Sequence, residues 1–62
     1  MINLELQIQS ENSAFDEKPH NEIARILRLL ADTIESGREG YLVLYDVNDN
    51  RAGKAFLEIW QD

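Results

Sequence analysis

The chain has no cysteine and a single histidine, which excludes disulfides, thiolate-bound metals and the usual zinc ligand sets. Cations are scarce as well: six Lys and Arg stand against twelve Asp and Glu, for a formal charge of −6. Binding to a phosphate backbone depends on clustered Lys and Arg, so direct nucleic-acid binding is not expected. Long apolar runs are also missing. Tyr41 to Tyr45 and Leu29 to Ala31 are the longest, far below the roughly 20 residues that cross a bilayer, and the polar N-terminal strand does not read as a signal peptide. These absences predict a soluble cytoplasmic protein with no membrane segment, metal or cofactor.

At 62 residues there is room for one domain and one small core, a size at which a lone chain buries only about 60% of its unfolded surface. Such chains usually need a staple, a partner or very regular packing. With staples excluded, oligomerisation is the natural way to make up the shortfall.

The organising stretch is Asn21 to Ser36. Ile23, Ile26, Leu27, Leu30, Ala31 and Ile34 recur at i, i+3, i+4, i+7, i+8 and i+11, one apolar stripe of a 3.6-residue helix. Pro19 suits a first helical position, Glu22 lies in a first turn where the dipole favours negative charge, and Gly37 supplies a left-handed stop. The spacing therefore predicts a helix over 20–36. Arg28 and Asp32 are spaced for a weak exposed pair.

Before the helix, Ile2, Leu4, Leu6 and Ile8 alternate with Asn3, Glu5, Gln7 and Gln9, the period-two signature of a strand with one apolar face. Residues 10–18 read as a loop, with Phe15 tucked inward as its anchor. After the helix, 41–46 and 52–60 read as strands around an Asx-rich turn at 47–50. A turn centred on Asn48 and Asp49 pairs Tyr45 with Ala52, Val43 with Lys54 and Tyr41 with Phe56. The architecture expected is α+β, in the order β-α-β-β, with one helix on one face of a three-stranded sheet. Antiparallel neighbours being commoner, the preferred strand order is 1-3-2.

That register sorts the hairpin into two faces. Leu42, Leu44, Ala55, Leu57 and Ile59 point one way and match the helix stripe and Leu4, Leu6 and Ile8; Tyr41, Val43, Tyr45, Phe56 and Trp60 point the other. One helix covers one face, so the aromatic set has nothing in the chain to bury against. Tyr and Trp on a sheet face have the composition of a protein interface, and burying one such ring is worth very roughly 1.5–3 kcal/mol. A symmetric homodimer through this face is the leading expectation. A dedicated protein partner, or simple cover by long polar side chains of the first strand, are the alternatives. Leu29, more than about 90° round the helix from the stripe, marks a lesser helix-side interface.

Constellations that carry chemistry are weak. Asp46, Asn48 and Asn50 match the opening of a calcium loop, but Arg51 stands where glycine is required and Leu57 where a bidentate glutamate belongs. His20 has no nucleophile or second histidine at a telling spacing. Carboxylate pairs such as Asp16 with Glu17 have no pocket around them, and a chain this short rarely encloses one. An enzyme is not expected.

The segments Asn12 to Asp16 (NSAFD), Asn21 to Gly37 (NEIARILRLLADTIESG) and Asp46 to Lys54 (DVNDNRAGK) together cover nearly the whole chain. They resemble a family of small, functionally uncharacterised proteins encoded in phage and prophage genomes. Related sequences often read D-x-N-G-N at the turn, and Asp49 departs from that glycine. The resemblance implies no catalytic residue. It implies a phage setting, in which small acidic proteins often bind and inhibit a host protein, including components of antiviral defence, by occlusion. Two further expectations come from other classes. One is a nucleotide-sequestering protein whose Arg25, Arg28, Arg38 and Arg51 converge in a cleft between subunits. The other is an acidic nucleic-acid mimic.

Overall fold

A computed structural model describes residues 1–61. Strand β1 (Ile2–Ile8) leads through a 3-10 turn (Ser13–Phe15) into helix α1 (Pro19–Glu35), followed by β2 (Gly40–Tyr45) and β3 (Arg51–Ile59). The three strands form one antiparallel sheet in the order β1-β3-β2. The fold is thus the expected α+β arrangement, with element ends about one residue from their predicted positions. Pro19 opens the helix and Gly37 closes it with φ 101°, because a left-handed residue without a Cβ lets the last carbonyls be satisfied.

Ile26, Leu30, Leu42, Leu44, Ala52 and Ala55 form the core, and Ile8, Phe15 and Ile34 pack against it. Phe15 is the inward anchor expected of the loop. The hairpin pairs Tyr41 with Phe56 and Val43 with Lys54 as the turn geometry predicts, but Tyr45 pairs with Arg51, not Ala52. A bulge there gives β3 one extra residue, and Ala52 turns into the core instead of joining the aromatic face. Within the turn, Asp49 takes the left-handed conformation with φ 62°.

Two expectations about the core are corrected. Of the predicted helix stripe, Ile26 and Leu30 are buried and Ile34 partly so, whereas Ile23, Leu27 and Ala31 are exposed. Of the first strand, Ile8 is half-buried, but Leu4 and Leu6 lie open to solvent. The reason is lateral placement. The short connection from Ser36 to Glu39 ties the helix to β2, and it leans over β2 and the 3-10 turn. With strands about 4.8 Å apart, β1 on the far side of β3 falls outside its shadow. The molecule is correspondingly long, 45 × 18 × 17 Å. Gly40 pairs with Leu57, so the ends of β1 and β3 run on past β2 as a two-stranded ribbon.

Candidate protein interface

The alternation of the hairpin strands places Tyr41, Val43 and Tyr45 of β2 on the sheet face away from the helix, with Phe56 and Lys54 of β3. In register, Glu5, Phe56 and Tyr41 form one row across the three strands, and Gln7, Lys54 and Val43 the next. Tyr41 is 53% exposed, Tyr45 52% and Trp60 42%, while Val43 and Phe56 are half-buried. The Phe56 ring is therefore flanked by Tyr41 on one side and by the polar first strand on the other. Glu5, Gln7, Tyr41, Lys54 and Phe56 line a shallow concavity of about 410 Å³. The Tyr41 hydroxyl accepts a hydrogen bond from Arg51, which fixes that phenol at the rim.

A second depression opens between the helix and the free edge of β2. Leu29, Thr33, Arg38, Val43 and Tyr45 line a groove of about 200 Å³ floored by Ile26, Leu30, Leu42 and Leu44. Leu29 is thus brought beside Val43 and Tyr45, joining two surfaces that the sequence treats as separate. Trp60 stands apart, beyond the end of β3, where its backbone and that of Met1 exchange two hydrogen bonds of 2.8 Å.

One polar constellation escaped the sequence reading. Glu22 is buried, and its carboxylate ties the helix to the hairpin turn. Arg25 Nε and Nη2 donate to its two oxygens at 2.7 and 3.1 Å, and the backbone N–H of Val47 donates at 2.7 Å. Arg25 also reaches the Tyr45 carbonyl at 3.4 Å. The guanidinium hydrogen bond holds the Glu22 carboxyl below its ordinary value; burial opposes this, and the Val47 N–H and the Arg25 charge add to it. Arg25 is raised in turn, first by the same bond. The spacing Glu22 to Arg25 is a permissible helical i, i+3 pair, but only the docking of the turn makes it a buried one. Among the described residues the ion pair found is this one and not Arg28 with Asp32.

Asp46 is buried beside it. Its Oδ1 accepts from the N–H groups of Asn48 and Asn50 at 2.8 and 2.9 Å, and its Oδ2 has no partner. The Asx-rich segment is therefore a turn that caps itself. No group of three or more His, Cys, Asp or Glu able to hold a metal occurs among the described residues. The arginines offered for a phosphate do not converge within one copy: Arg25 is engaged by Glu22, Arg51 by Tyr41, and Arg38 lies in the groove past the far end of the helix that carries Arg28. Among the described residues, no helix is long and apolar enough to cross a membrane. Comparison with known proteins finds no matching family model, no similar curated protein and no similar solved structure, so the functional reading rests on this geometry.

Proposed function

We propose that the protein is a small acidic, phage-encoded interaction module that binds a host protein through the outer face of its hairpin and inhibits it by occlusion. The observation carrying this reading is the exposure of Tyr41 and Tyr45 on the side of the sheet away from helix α1. Rings kept in water at that cost are what a protein interface uses as anchors. The Leu29 groove continues the same surface around the β2 edge. Its concavities are open and shallow, which suits a partner's side chains better than an enclosed substrate.

The test is capture from a bacterial lysate followed by titration of the purified partner by calorimetry. A one-to-one complex per chain is expected, weakened at least about tenfold, or 1.4 kcal/mol, by Tyr45→Ala or by Leu29→Asp. If both variants bind the purified partner with unchanged affinity, the outer face is not the docking surface.

A further inference from the structure

We propose that the chain is a homodimer built by antiparallel pairing of β1 with β1 of a second copy. This moves the second copy from the aromatic face to the opposite edge of the sheet and goes beyond the reading of that face as a target-binding surface.

The hydrogen-bond phase of β1 is the first argument. Met1 and Trp60 exchange both backbone bonds, and the Gln9 N–H donates to Ala52 at 3.0 Å. In an antiparallel ladder bonded pairs recur every second residue, so Asn3, Glu5 and Gln7 bond inward to β3. The N–H and C=O groups of Ile2, Leu4, Leu6 and Ile8 accordingly point off the free edge. Proteins that leave an edge open blunt it with Pro, Lys or a bulge. This edge of seven residues carries none of these and a single charge, Glu5.

The same residues present their side chains on the inner face, where the helix leaves them uncovered: Ile2 is 70% exposed, Leu4 48% and Leu6 44%. Their neighbours on that side are open too. Leu29 and Thr33 overhang the β2 edge, so by helical spacing the flank carrying Ile23 and Leu27 faces toward β1, and both residues are exposed, as is Ile59. Together these six side chains leave on the order of 500 Å² per copy, the size of the largest patch on a typical monomer.

A two-fold axis normal to the sheet answers both needs at once. It pairs the two free edges into a six-stranded sheet and keeps both inner faces on one side, so the leucines of the two β1 strands meet in a trough between the two helices. Complete cover of these side chains in both copies would bury roughly 1,000 Å² in all, about the size a stable interface needs. Charge narrows the register to an axis at Leu4 or Leu6. Placing the axis at Leu6 sets each Glu5 opposite Gln7 of the second copy and placing it at Leu4 sets Glu5 opposite Asn3, whereas an axis at Glu5 would oppose like charges.

Sedimentation equilibrium on the full chain is expected to give twice the 7.2 kDa monomer mass, falling to one chain mass in Leu6→Lys with an unchanged far-ultraviolet spectrum. Amide exchange on the wild type tests the same edge without a substitution. The N–H groups of Leu4 and Leu6 are expected to be protected, increasingly so with concentration. A single chain mass at every concentration overturns the proposal, as does a dimer in which those two amides exchange at the rate of an unstructured chain. Tyr45→Ala must leave the mass doubled; conversion to monomer by Tyr45→Ala and not by Leu6→Lys would return the second copy to the aromatic face. Target capture and mass are separate readouts, so loss of one leaves the other interface standing.

Discussion

Replacing Gly53 by alanine concentrates its whole effect on one contact. A Cβ at that position would stand 2.1 Å from the Gln7 carbonyl oxygen and 2.9 Å from Ile8 Cα. Both are backbone atoms of β1, so no side-chain rotation relieves the clash and the strand itself must retreat by about 1 Å. Overpacking of this kind costs about 1–3 kcal/mol. Forcing β1 away also endangers adjoining ladder bonds, such as Gln9 to Ala52 at 3.0 Å, each worth about 1 kcal/mol net. A total of about 2–4 kcal/mol is expected, against roughly 3–9 kcal/mol for a domain of this length. Urea unfolding followed by circular dichroism measures it; with a slope near 1 kcal/mol/M the midpoint should fall by about 2 M or more. The internal control is Gly37→Ala, where φ is 101° but nothing lies within 4 Å of the added Cβ. Its cost is conformational alone, about 1 kcal/mol. If Gly37→Ala proves the more damaging of the two, the close approach of β1 at the bulge does not hold the sheet as argued.

Glu22 makes stability depend on pH in one direction. Its carboxyl is lowered in the folded chain, so the stabilisation is present above the ordinary carboxylate value and lost as pH falls through the depressed folded value. Glu22→Gln should flatten the acid limb of a plot of unfolding free energy against pH, and an unchanged limb would show that the pair carries no linkage. Arg25, raised from an already high value, adds nothing in that range. Asp46→Ala removes the acceptor of two backbone N–H groups and should cost about 1–3 kcal/mol in urea melts. Asp46→Asn, which keeps one oxygen for those donors, should cost less; equal losses would mean that the Oδ1 bonds do not hold the turn.

Much of the fold was legible because it follows from local periodicity. The alternation of Ile2, Leu4, Leu6 and Ile8 and the helical spacing of Ile26 and Leu30 each state a period, and the pairing of Val43 with Lys54 follows from where the turn residues lie. The aromatic face was legible for the same reason, since Tyr41, Val43 and Tyr45 share a parity. What a period cannot state is which part of an apolar stripe finds cover. Ile23, Leu27, Leu4 and Leu6 obey the pattern as well as Ile26 and Leu44 do, yet within one chain they are left uncovered.

The sequence by itself therefore determined the elements, their order, the antiparallel hairpin and the two characters of its faces, all of which depend on neighbours within a few residues. Only the tertiary structure decided where the helix rests across the sheet, that Ala52 turns inward at a bulge, and that Glu22 is buried against Val47. Those outcomes depend on the reach of one short connection and on strand twist. Such distances between elements are written into no single stretch of chain.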